Sequence, residues 1–162
     1  MRIATIGLAL ALLFSTTAAN AIDGAMTIEL STGGTVVGPS TAPGREGTID
    51  VIALSGGIMG GGSADRCRSL TVQKRIDQTT PLLAKALDDA ELADTLTIRL
   101  YDAGTQYATL RLTDAVFSAI AYLGGSRDDA PVEHVTLGYT EVEWIVTGGT
   151  STTIICASGS AA

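Results

Sequence analysis

The glycine-rich segment SGGIMGGGSAD, residues 55–65, is the first part of the chain whose composition suggests chemistry, because glycine-rich loops can cradle phosphate groups. Its spacing does not fit that role. No Lys-Ser or Lys-Thr follows the glycines, and they do not occupy the first, third and sixth positions of a dinucleotide-binding loop. A calcium-binding repeat is also disfavoured, because the motif occurs once and Ser63 stands where a glycine is needed. The segment predicts a flexible turn or an assembly loop.

The titratable residues do not form a readable catalytic or metal-binding pattern. His134 is the only histidine, and its neighbour Glu133 should point to the opposite face of a strand. The acidic pairs at residues 88–89 and 128–129 could act as glycosidase carboxylates, but a helix face and a loop tip favour solvated charge. We therefore predict no catalytic residue, no metal site and no cofactor.

The two cysteines, Cys67 and Cys156, form a candidate disulfide. In an oxidising compartment such a bond would close a loop of about 90 residues and stabilise the fold by up to about 4–5 kcal/mol in the chain-entropy model. Two buried free thiols are the alternative.

The first 21 residues have the parts of a secretory signal peptide. A basic start at Arg2 is followed by the apolar run 3–14 and by Ala19-Asn20-Ala21, a typical cleavage site. The apolar run is shorter than the roughly 20 residues that cross a bilayer, so no membrane span is predicted. A mature N-terminal helix is the alternative. We expect an exported protein, periplasmic or secreted, with one domain at residues 22–162, its core at 26–146 and a tail at 147–162.

The charge balance limits the partners. The formal net charge is −7 with an isoelectric point near 4.5. Such a surface repels polyanions, which argues against nucleic acid or an anionic membrane as partner.

Alternating apolar residues predict a β-rich fold. In TLTIRLYD, Leu96, Ile98 and Leu100 share one face, and Ala108, Leu110 and Leu112 do the same in the next run. A turn containing Gly104 should join these two strands into a hairpin. Further along the chain, Val135 and Val142 would point to opposite faces of a single regular strand. This predicts a bulge near Thr140 or a strand that is buried on both faces.

One helix is predicted from residue 80. Thr80 can cap the first turn, and Pro81 loses no hydrogen bond there. Leu83, Leu87 and Ala90 follow at helical spacing and should form the buried stripe. By contrast, residues 31–46 are rich in Gly, Ser, Thr and Pro and predict an extended, exposed loop.

The order of these motifs resembles a known family. The most specific piece is IDQTTPLL, in which Ile76-Asp77 ends a strand and Thr80-Pro81 opens the helix. EGTIDVIALSGGI, LTIRL, GGS at residues 124–126 and EHVTLGYTEVEW match in the same order. Together they are similar to the Hcp tube proteins of bacterial type VI secretion.

This resemblance implies a compact antiparallel β-barrel of two sheets with one flanking α-helix and without catalytic residues. It also implies a homo-oligomeric ring, expected to be a hexamer, that stacks into tubes and carries effector proteins or meets a spike protein. Residues 31–46 and 56–62 are plausible contacts between rings.

Two other function classes remain open from the residues. The same barrel could serve as an exported monomeric module that binds a small ligand or a partner protein. An exported hydrolase is less favoured, because no nucleophile and base can be paired.

Overall fold

A computed structural model describes residues 22–59, 67–124 and 130–156. The proposed signal peptide at residues 1–21, including Ala19 and Ala21, lies outside the described residues. The described part contains nine strands and one helix: β1 (Asp23–Leu30), β2 (Ile49–Val51), β3 (Ala53–Ser55), β4 (Leu70–Arg75), α1 (Thr80–Asp88), β5 (Leu92–Asp102), β6 (Thr105–Leu123), β7 (Val132–Gly138), β8 (Glu141–Val146) and β9 (Ser151–Ile155).

The predicted hairpin is the centre of the sheet. β5 and β6 pair antiparallel, and Leu96, Ile98 and Leu100 are buried as their alternation required. The turn between the strands places Ala103 at φ 46° and Gly104 at φ 81°. Two consecutive residues in the left-handed region match the twist of a tight hairpin.

The long strand β6 has different neighbours along its two halves. On the side away from β5, residues 108–113 pair with β8 and residues 116–123 pair with β7. Asp114, with φ 48°, lies between the two halves, and the register shifts between Phe117 and Ala119. The predicted irregularity near Thr140 is therefore a full break between β7 and β8. We use the name fork for residues 139–140, which lie opposite Asp114 of β6, where β7 and β8 separate.

The sheet divides into two branches at the fork. One branch continues from β7 through β4 to β3, and the other continues from β8 to β9. All described strands thus belong to one branched sheet in which every pairing is antiparallel. The mainly β fold with one helix is confirmed.

The word barrel describes this sheet only loosely, because the ladder is not closed. Its end strands β2 and β3 do not pair with each other. They are separated by Ile52 alone, whose N–H donates to the Gln73 carbonyl and whose carbonyl accepts from the Ile22 N–H, both at 2.8 Å. The sheet is therefore curved so strongly that its two end strands, β2 and β3, lie next to each other in the chain and are connected through Ile52.

Helix α1 is shorter than the spacing of apolar residues suggested. Its N-cap is Thr79 rather than Thr80, and the inward residues are Leu83 and Ala86 together with Thr80. Ala90 is exposed at φ 51°, beyond the end of the helix. Its predicted place in the buried stripe is wrong, because the chain has already turned toward β5.

Residues 31–48 fold back onto β1 rather than extend into solvent. The Val36 N–H donates to the Ile28 carbonyl at 3.0 Å, and the Val36 side chain is buried. Arg45 pairs with Asp23 and stacks 3.8 Å above the Tyr101 ring. A side chain at Gly38 would collide with the Thr48 carbonyl at 2.1 Å, so this close approach requires glycine.

Adjacent leucines of α1 provide a matched test of its packing. We expect Leu83→Ala to lower the free energy of unfolding by about 2–4 kcal/mol, because it leaves a cavity at a fully buried position. Leu82, which is 51% exposed, should tolerate alanine within about 0.5 kcal/mol. Urea denaturation of both variants measures the difference, and equal losses would contradict this packing.

Candidate functional site

The residues considered for catalysis do not converge. Glu133 is buried, whereas its neighbour His134 lies on the outer face, where it pairs in register with Gln73. Asp88 and Asp89 are exposed at the end of α1, and Asp89 pairs with Lys85. The acidic pair at 128–129 and glycines 60–62 lie outside the described residues. Within the described residues, no group of three or more potential ligands could hold a metal ion.

The motif residues Asp77 and Thr80 instead join a buried polar cluster. Asp77 accepts from the Thr79 N–H at 2.7 Å and from the Thr79 hydroxyl at 2.6 Å. The Thr80 hydroxyl donates to Glu133 Oε1 at 2.9 Å and accepts from the Asp77 N–H at 3.1 Å. Ile76 and Pro81, the other motif residues, are exposed. The motif therefore fixes the start of α1 and its attachment to β7.

Lys74 lies at the centre of this cluster and is fully buried. Its ammonium group contacts Glu133 Oε1 at 2.8 Å, Asp77 Oδ1 at 3.1 Å and the Arg75 carbonyl at 2.8 Å. These three acceptors match the three protons of an ammonium group. Glu133 Oε2 is buried without a hydrogen-bond partner among the described residues.

The ion pair between Lys74 and Glu133 was not predicted from the sequence. The signal was present in the alternation of their strands, since Leu70, Val72 and Lys74 share one face and so do Glu133, Val135 and Leu137. Opposite charges at the inward positions of two strands predict a cross-strand ion pair, and the structure places these two residues directly opposite each other.

The two cysteines meet at the fork. Their sulfurs are bonded in the structure, with a Cα to Cα distance of 5.5 Å. Cys67 precedes β4, and Cys156 follows β9, so the bond joins the two branches of the sheet. The Tyr139 hydroxyl donates to the Arg68 carbonyl at 2.9 Å and adds a second link at the same point.

An apolar groove opens beside the fork. It encloses about 230 Å³ between β3 with the residues that follow it and the inner face of β6 and β8. Its lining includes Leu54, Ile58, Leu70, Leu112, Tyr139 and Trp144. Its lining is mainly apolar, but its volume is below the roughly 300–1,000 Å³ that is typical of small-molecule sites.

Large apolar side chains also remain on the surface of the single chain. Ile155 of β9 is 72% exposed, and Tyr122 of β6 and Val37 are each 60% exposed. These three side chains lie in β9, at the end of β6 and in the segment that follows β1. Among the described residues, no helix is long and apolar enough to cross a membrane.

Comparison with known proteins decides the family. The family model described as "Type VI secretion system effector, Hcp" matches residues 22–145, from the residue before β1 almost to the end of β8. The chain belongs to the Hcp family of type VI secretion. The resemblance drawn from the sequence motifs is confirmed.

Solved Hcp structures share the fold. A crystal structure of an Hcp protein aligns with a TM-score of 0.76 and 21% identity over 86% of this chain and 100% of that chain. The secreted protein Hcp3 from Pseudomonas aeruginosa aligns with a TM-score of 0.73 and 21% identity over 85% and 100%. The Hcp1 protein from E. coli aligns with a TM-score of 0.73 and 20% identity over 83% of this chain and 98% of that chain. No curated protein sequence matches the chain.

Removing one partner of the buried ion pair should be costly in this Hcp protein. We expect Lys74→Met to lower the free energy of unfolding by about 3–5 kcal/mol, because it leaves the Glu133 carboxylate buried and uncompensated. Adding Glu133→Leu should recover part of that loss. Urea denaturation of the single and double variants tests the coupling. Arg111→Met, which breaks the exposed pair with Glu143, is the control and should cost less than about 1 kcal/mol.

The Tyr139 phenol should ionise at a higher pH than an exposed tyrosine. Its burial raises the pKa of the hydroxyl above the ordinary value near 10. The folded state therefore favours the neutral phenol. This contribution to the free energy of unfolding is fully present below about pH 10 and is lost as the pH rises through the folded-state pKa. Subtracting the ultraviolet absorbance titration of Tyr139→Phe from that of the wild type isolates this group. A midpoint at or below about 10 would contradict the expected burial.

Proposed function

We propose that this chain is a non-enzymatic, ring-forming structural subunit of the type VI tube kind, exported from the cytoplasm. Membership of the Hcp family over residues 22–145 is the observation that carries the proposal. The buried position of Lys74 and Glu133 adds support, because these charges, together with the partly buried Asp77, serve the packing of α1 and do not face a substrate.

The surface of the single chain supports association with further copies. Apolar side chains such as Ile155, Tyr122 and Val37 are well exposed, and within the part of the chain that the structure describes the end strands β2, β3 and β9 each pair on one side only. A head-to-tail contact between identical subunits closes into a ring and leaves two free ring faces for stacking. As the finer proposal, resting on the family membership, the ring is a hexamer that stacks into tubes, meets a spike protein and holds effector proteins in its lumen.

Export is proposed from the leader at residues 1–21 and from the cysteines. A disulfide persists in the periplasm or outside the cell but is rare in the cytoplasm. The bond between Cys67 and Cys156 is therefore consistent with a protein that folds after export.

Native mass spectrometry of the mature, unreduced chain at tens of micromolar tests this function. We expect a ring, with six copies as the predicted number, and a monomer alone would contradict the proposal. Val37→Lys, Tyr122→Lys and Ile155→Lys change well-exposed positions, so the subunit should still fold. A variant that stays folded by circular dichroism but shifts the ring to smaller species identifies a residue at the contact.

The apolar groove favours one second function, an exported monomeric module that binds a small apolar ligand or a partner protein. Its apolar lining, which includes the aromatic rings of Tyr139 and Trp144, fits such a role. A monomeric mass together with a co-purifying ligand would favour this function over the ring.

A further inference from the structure

The fork leaves strand β9 attached to the rest of the sheet by few contacts. Among the strands of the described ranges, β9 pairs with β8 alone, through residues 151–155 opposite 145–141. Four of its five side chains are exposed, and only Ile154 is partly buried against the core. A strand that buries so little apolar surface gains little from the hydrophobic effect. Its position therefore depends on the ladder with β8 and on whatever fixes its ends.

The residue that follows β9 is held far more firmly. Cys156 is 4% exposed, its N–H donates to the Thr140 carbonyl at 2.8 Å, and its sulfur is bonded to Cys67. Cys67 is in turn bridged to Ile58, and the neighbouring Arg68 is bonded through its backbone to Gly57 and Tyr139. One end of β9 is thus covalently fixed to the start of the other branch.

We propose that the Cys67–Cys156 disulfide is a redox-sensitive clamp that keeps β9 on the edge of β8. In the oxidised chain, β9 covers the backbone of residues 141–145. After reduction, β9 keeps its exposed ladder, the partly buried Ile154 and the hydrogen bond from the Cys156 N–H, but it loses its covalent attachment to the other branch. With that attachment gone, β9 separates from β8 and leaves that edge unpaired. The clamp therefore governs whether the backbone edge of β8 is paired or exposed.

The reductant required is a dithiol. A thiolate of the dithiol attacks one sulfur of the cystine, which breaks the S–S bond, forms a mixed disulfide and releases the other cysteine as a thiolate. The second thiolate of the dithiol then displaces the remaining cysteine. The chain gains two electrons and two protons and holds two thiols, and the dithiol becomes a cyclic disulfide.

Hydrogen exchange measured by mass spectrometry tests the clamp in the full mature chain, before and after treatment with dithiothreitol. Reduction should speed exchange at least tenfold in peptides that cover residues 141–145 and 151–155. Peptides from β5, at the centre of the sheet, should keep their protection. The ring need not form for this result, because the measurement reports pairing within one chain.

Two variants serve as controls. The double variant Cys67→Ser with Cys156→Ser should show the fast exchange of β8 and β9 with or without dithiothreitol. Oxidised Leu83→Ala is destabilised away from the fork, and its exchange should not be selectively faster in β8 and β9. The inference is overturned if reduction accelerates exchange equally in β5 and β9, if it leaves β9 unchanged, or if the untreated chain already has two free thiols.

Discussion

The buried contact between Lys74 and Glu133 is the interaction on which the architecture depends most. A helix of nine residues has little stability by itself, so α1 must gain its stability from attachment to the sheet. Thr80 and Asp77 supply that attachment by binding the same charges that join β4 to β7. Since a buried ion pair tolerates few geometries, it fixes where the helix begins more strictly than apolar packing alone would.

The second constraint is the bend in β6. A strand of nineteen residues cannot keep one set of neighbours along a curled sheet, and the left-handed residue Asp114 marks where the neighbours change. β7 and β8 must then separate at the same level, which creates the fork. The disulfide and the groove both lie at this fork, and the disulfide connects the two branches there.

Sequence patterns predicted the elements whose cause is local. The alternation of Ile98 and Leu110 with polar neighbours was enough to predict the central hairpin, and the Thr-Pro pair was enough to predict a helix in the correct place. The mainly β fold followed from the alternation of apolar residues, and the family followed from the order of the motifs.

The features that sequence analysis missed have distant causes. Thr80 meets Glu133 across 53 positions of the chain, and Arg45 meets Asp23 across 22, so no window of neighbouring residues contains either contact. Residues 31–48 have the composition of a free loop, but their fold depends on β1 and on the Tyr101 ring. The end of α1 before Ala90 depends in the same way on the path to β5.

Trp144 provides a fluorescent group beside the fork. It is the only tryptophan of the chain, and it lies at the edge of the apolar groove with about a third of its surface in contact with solvent. Indole emission depends on the polarity around the ring, and all of the tryptophan fluorescence of the protein comes from this one position. A change in the wavelength of that emission would report on the surroundings of a single side chain, without any attached dye.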